Sequence, residues 1–181
     1  MKAMTKTFET LRSYNLVRDL AIVCISSIIL ALIGQIKVSL PFTPVLVVLQ
    51  NKAILFAGLA LGARRGFFAA LLLLAQAIVG LPVLAGFQVG AAVFLGAKAG
   101  YLIAYPLSAF VVGWISERFL HTATERYIAL SAGLFVQFFF GCAVLAKFIG
   151  LMPAIMVGVV PFILTDCLFN IGCARFGRRL V

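Results

Sequence analysis

Long apolar runs return along this sequence at intervals close to the ~20 residues that a helix needs to cross a bilayer, and most charged residues fall between them or within a few residues of their ends. Hydrophobic residues make up 64% of the chain and charged ones 11%, too few to clothe the surface of a soluble domain. The runs divide into six spans, at about 18–36, 44–62, 66–80, 100–118, 126–148 and 156–176. The expected fold is therefore an all-α membrane protein of six transmembrane helices. Residues 1–17, polar and mixed in charge, read as a cytoplasmic leader rather than a cleavable signal, and 18–181 as one transmembrane domain.

A net charge of +10 would point to nucleic acid in a soluble protein, so its distribution has to decide. With a cytoplasmic N-terminus, the inner segments hold Lys2, Lys6 and all nine arginines, eleven positive residues in total, against Lys37, Lys52, Lys98 and Lys147 outside. That asymmetry is the positive-inside pattern; it puts both termini in the cytoplasm and leaves no role for nucleic acid. Cys24, Cys142, Cys167 and Cys173 all lie in apolar runs without metal-type spacing, and read as packing residues. No metal or other cofactor is expected.

The outer connection between spans 3 and 4 stands apart. From Gly80 to Tyr101 the chain is apolar, yet Gly80, Pro82, Gly86, Gly90, Gly96 and Gly100 interrupt it, which a lipid-facing helix would not tolerate well. Irregular backbone at membrane depth persists where it is buried in protein or lines a cavity; the alternative is an ordinary outer loop with a few hydrophobics. Asp166 is the one acidic residue deep in a span, and an ionisable group there is costly enough to be a functional candidate. Its structural alternative is a partner drawn from Lys98, Lys37, Lys52 or Lys147. Asn170 follows one turn later on the same face. Gln50 and Asn51 open span 2, so these polar groups and the glycine-rich stretch converge on one outer-half region with the composition of a small-molecule pocket. Gln76 reads as a packed or headgroup-level amide, while Gln137 either bridges helices or touches ligand.

Catalytic chemistry finds little support in these residues. One intramembrane carboxylate cannot form an aspartyl dyad, and His121 sits in the loop at the cytoplasmic face, out of reach of an outer-half serine. There is no Gly-x-x-x-x-Gly-Lys-Ser/Thr phosphate loop, so an ATP-driven step would belong to another subunit.

Gly80-Leu-Pro-Val-Leu-Ala-Gly86 followed by Leu95-Gly-x-x-x-Gly-Tyr101-Leu resembles the signature of the BioY family, the biotin-binding S components of energy-coupling-factor vitamin transporters. The likeness runs from about Arg18 to the C-terminus and includes Pro44-Val45 with Gln50, Gly62-x-x-Arg65-Gly66, and Pro161-Phe162 with Asp166. It implies a six-helix S-component fold whose long loop between helices 3 and 4 closes over biotin from outside. Taken with the residue reading above, the expected substrate-binding set is Gln50, Asn51, Gly86, Phe87, Gln88, Lys98, Gly100, Tyr101, Asp166 and Asn170. A helix 1 patch, with Cys24 and Ile28 at the usual positions and Ser27 and Ala31 beside them, would dock on a transmembrane coupling protein served by ATP-binding cassette ATPases. The chain departs from the pattern at Phe87 and Val89 in place of glycines, and at Ala97-Lys98-Ala99 in place of Pro-Thr-Gly. It does so again at Leu46 and Val48 in place of Pro and Thr, and at Phe169 in place of a lysine.

The resulting expectation is capture and uptake of biotin across the cytoplasmic membrane without covalent chemistry. A solitary carrier or an S component for another small vitamin is the nearest alternative; a membrane enzyme or a structural subunit is the rival of a different class. For the ligand's carboxylate, Lys98 is one candidate partner, the alternative being that it solvates an outer turn.

Overall fold

The computed structural model describes residues 2–38, 47–119 and 122–176. Pro44, Val45, Leu46 and His121, singled out above, lie outside the described residues, as do Arg178 and Arg179. The element order is α1 (Lys2–Gly34), β1 (Lys37–Val38), β2 (Val47–Val48), α2 (Leu49–Leu61), α3 (Ala63–Ile78), a 3-10 turn (Ala91–Leu95), α4 (Ala99–Phe119), α5 (Ala123–Ile149), α6 (Leu151–Gly158) and α7 (Val160–Phe176). β1 and β2 form one short antiparallel ladder, Lys37 opposite Val48, which ties the end of α1 to the start of α2. Everything else regular among the described residues is helical.

Four stretches of the described residues have the length and apolarity to cross a membrane: Asn15–Gly34, Ala99–Phe119, Ala123–Ile149 and Leu151–Arg175. With the shorter α2 (13 residues) and α3 (16 residues) they make six rods, the last built from α6 and α7 together. α2 is buried on nearly every face, as a helix enclosed by protein rather than lipid should be.

Several boundaries differ from the sequence reading for local reasons. α2 starts at Leu49, not near 44, because Val47 and Val48 are drawn into the ladder with β1. α2 and α3 meet at a single residue, Gly62, whose φ of 85° lets the chain reverse there. α5 starts earlier than expected because Thr122 and Glu125 form a capping box, the Thr122 hydroxyl accepting from Glu125 N and the Glu125 carboxylate from Thr122 N. The last rod starts at Leu151 rather than 156 and breaks at Val159, just before Pro161, which has no N–H to continue the ladder. α1 runs without interruption through the 17/18 boundary expected between leader and membrane domain.

α4 is the central rod, packed on α5, α3 and α2. A Cβ placed on Gly58 of α2 would stand 2.4 Å from the Ala109 carbonyl oxygen of α4, and one on Gly100 of α4 would stand 2.1 Å from the Phe140 carbonyl oxygen of α5. The backbones themselves are thus in contact. Since apolar helices gain little from leaving lipid for each other, close approach through small residues is what holds such a bundle. Ile54, Leu73, Leu102, Tyr105 and Ala109 fill the space between α2, α3 and α4; Leu55, Leu59, Val112, Leu130 and Leu134 fill that between α2, α4 and α5. On α1, by contrast, Leu20, Ile25, Ile28, Ile29 and Leu32 stay exposed, an apolar face that suits hydrocarbon surroundings.

Candidate functional site

The first turn of α2 carries three polar residues in succession, Gln50, Asn51 and Lys52. Successive helical residues point about 100° apart, so one face cannot hold all three. Each reaches a different neighbour, and all three are withdrawn from solvent to some degree.

Gln50 turns to the loop. It is 1% exposed, donates from Nε2 to the Val83 carbonyl at 2.8 Å and accepts at Oε1 from Ala85 N at 3.1 Å. Gly34 of α1 leaves room for it: a Cβ there would collide with Nε2 at 2.4 Å. Gln35 grips the same loop from α1's end, donating to the carbonyls of Pro82 (3.2 Å) and Leu84 (3.1 Å) and accepting from Phe87 N (3.2 Å). Two side-chain amides therefore satisfy five backbone groups between residues 82 and 87, where no helix or sheet does so. Leu84 anchors the loop in the core at 1% exposure, and Leu84 and Gln88 pair across a tight reversal in which Gly86 has φ 78° and Phe87 φ 58°. A left-handed conformation at a bulky residue is costly and is found mostly where surroundings impose it. The Phe87 side chain is exposed, as is Gln88.

Asn51 turns to α4 and α5. Its Oδ1 accepts a short hydrogen bond from the Tyr105 hydroxyl, and its backbone carbonyl accepts from Gln137 Nε2 at 3.4 Å. Gln137 also donates to Ser108 Oγ at 3.0 Å. Of the two readings of Gln137, the structure takes the helix bridge. Gln76 is likewise packed, accepting from Ser27 Oγ at 3.0 Å.

Lys52 turns to α7 and forms a buried ion pair with Asp166. Lys52 was one of four candidate counter-ions; Lys98, another, is exposed and makes no ion pair among the described residues. The Lys52 ammonium also lies 5.8 Å from the centre of the Phe169 ring. Asn170, one turn beyond Asp166, is 1% exposed and its Nδ2 has no hydrogen-bond partner.

The remaining expected residues have packing roles in this structure. Tyr101 donates to the Gly158 carbonyl at 2.9 Å, pinning α4 to α6, and lies against Gly141, while Gly100 lets α5 approach. On α1 the proposed docking residues divide: Cys24 and Ile28 are exposed, Ala31 packs against the core, and Ser27 is fully buried against α3. A cavity of about 330 Å³ between α1, α2 and α7, with Phe169 in its wall, is lined by aliphatic and aromatic groups and one hydroxyl, Ser26. It offers a single polar group, whereas the α2–α7 cluster carries several.

Sequence reasoning did not single out Gln35, Tyr105 or the pairing of Lys52 with Asp166. The signal that could have found the last was the Gln-Asn-Lys run, since three polar residues opening an apolar helix must each find a partner.

Known proteins resemble this chain in sequence and in fold. A protein of Rhizobium etli named biotin transporter BioY is 34% identical over 174 residues, covering 91% of this chain and 93% of its own. A probable biotin transporter BioY of Pyrococcus horikoshii is 37% identical over 130 residues, 72% of this chain and 76% of its own. The crystal structure of the S-component for biotin from an ECF-type ABC transporter superposes with a TM-score of 0.78 at 29% identity, over 90% of this chain and 89% of that one. The model of the BioY family matches residues 3–181, and this chain belongs to that family.

Proposed function

We propose that this chain captures biotin at the end of the bundle that carries the 79–98 loop. It then delivers biotin across the cytoplasmic membrane as the S component of an energy-coupling-factor transporter. The observation that carries the reading is the likeness, over about nine-tenths of both chains, to a solved S-component for biotin. The buried polar cluster on α2 and α7 under a glycine-rich loop supports it. A ureido ring needs acceptors for its N–H groups and donors for its carbonyl, and Asp166 and Asn170 supply both within an apolar surround. Gly86, Phe87 and Gln88 form the lid, and the exposed Lys98 is open to the carboxylate tail. Transport draws its energy from partner ATPases through a transmembrane coupling protein that meets the Cys24 and Ile28 face of α1; the chain itself contains no phosphate loop. No bond of the ligand is made or broken.

Both termini lie in the cytoplasm, in keeping with the eleven-to-four division of positive residues. Labelling of cysteines introduced at the two ends of the chain in intact cells tests this; reaction with an impermeant reagent from outside contradicts it. The function is tested by equilibrium binding of biotin to the purified protein. We expect saturable submicromolar binding with biotin recovered unchanged. Absence of binding, or conversion of biotin to a product, overturns the reading.

A further inference from the structure

The Lys52–Asp166 pair holds more hydrogen-bonding capacity than the protein uses. An ammonium carries three N–H donors, and among the described residues that of Lys52 meets one acceptor, Asp166 Oδ1. The other oxygen of Asp166 receives no hydrogen bond among those residues. Asn170 adds an unpartnered amide nitrogen with two further N–H groups, itself buried. Two helices thus present spare donors and one spare acceptor in a place where unpaired polar groups cost free energy.

The charge arithmetic narrows what fits. Asp166 alone would be a bare buried anion and would favour a cation. Paired with Lys52 the cluster is neutral, and a ligand carboxylate beside it would set two anions against one ammonium. A neutral group with a carbonyl acceptor next to an N–H donor fills the spare positions and adds no charge.

We propose that Lys52 is a ligand-reading residue: its ammonium donates to the carbonyl oxygen of a cyclic urea while the free oxygen of Asp166 accepts from a ring N–H. The ion pair then selects a neutral ureido ring over a cationic analogue of the same shape. This rests on the biotin-capture reading and adds to it the source of its selectivity. It assigns recognition to a residue of α2, a helix apart from the acid on α7.

The test compares two ligands on the purified full chain at neutral pH. One is biotin; the other is 2-iminobiotin, in which a protonated guanidine replaces the urea. The unaltered protein should bind biotin at least about 10-fold more tightly, the equivalent of one charged hydrogen bond at ~1.5 kcal/mol. Lys52→Met should weaken biotin by about 10- to 100-fold. It should also strengthen 2-iminobiotin, because Asp166 is left uncompensated, so that the preference reverses. Lys52→Arg should keep the preference for biotin. Should Lys52→Met fail to insert, the double variant Lys52→Met/Asp166→Asn removes both charges at similar volume and should bind both ligands weakly without preference. If either variant keeps the original affinity and preference for biotin, Lys52 does not read the ligand, although capture stands. If the unaltered protein binds no biotin, the capture reading fails and this inference with it.

Discussion

Two ion pairs in the described residues use the same chemistry in opposite settings. Lys52–Asp166 joins α2 to α7 with side-chain exposures of 8% and 6%, whereas Arg65–Asp19 joins α3 to α1 with exposures of 21% and 44%. Around the second pair the polar groups finish helices or mark the membrane boundary. Glu117 accepts from Ala63 N at 2.9 Å, and Arg118 stacks 4.0 Å from the Trp114 ring. Around the first, Gln35 and Gln50 hold a loop in place, and donors on Lys52 and Asn170 are left over. Water can complete the hydrogen bonds of the exposed pair; the buried pair is withdrawn from solvent and keeps part of its own capacity open. The biotin-capture proposal of the Results turns on that difference, assigning the ligand to the end with the buried pair.

Breaking the buried pair should have the largest effect. Asp166→Ala leaves the Lys52 ammonium buried and bare, and should cost about 3–5 kcal/mol in the unfolding equilibrium of the purified protein, besides abolishing biotin binding. Replacing both partners, as in Lys52→Met/Asp166→Leu, should restore most of that stability and none of the binding. A stable double variant that still bound biotin tightly would show that the pair serves the fold alone.

Gln50→Ala should come next. It strips partners from the Val83 carbonyl and Ala85 N, at a cost of about 1–3 kcal/mol confined to the loop. The expected result is faster proteolysis between residues 81 and 89 with the helices intact; global unfolding instead would mean that the loop is part of the core. At the opposite end, Asp19→Ala should shift stability by less than about 1 kcal/mol and leave biotin affinity unchanged, because its pair is open to solvent. An effect there as large as that of Asp166→Ala would erase the distinction between the two ends.

Much of this was legible in the sequence because hydrocarbon leaves few options. Apolar runs, charges between them and a glycine-broken stretch marked the rods and the loop, and Asp166, Asn170 and Gln50 stood out as polar groups in apolar surroundings. What stayed hidden depended on which way a side chain turns. Lys52 could be placed near the outer end but not paired, since a single sequence does not say which neighbour lies 100° round from Asn51. Tyr105 reads as one more aromatic in an apolar helix, and only its contact with Asn51 makes it polar. Gln35 fell at the very end of the first span, where nothing hinted at the loop it would grip. Ser27 was placed beside the helix 1 docking patch, whereas its hydroxyl turns to Gln76 of α3 within the same chain.

The contrast between the ends is tested most directly by amide hydrogen exchange on the purified protein with and without biotin. Saturating biotin should slow exchange at residues 80–90, at the first turn of α2 and around Asp166 in α7, and leave the residues near Asp19, Gly62 and Glu117 unchanged. Protection near Gly62 and Glu117 with none in the 80–90 loop would contradict the account.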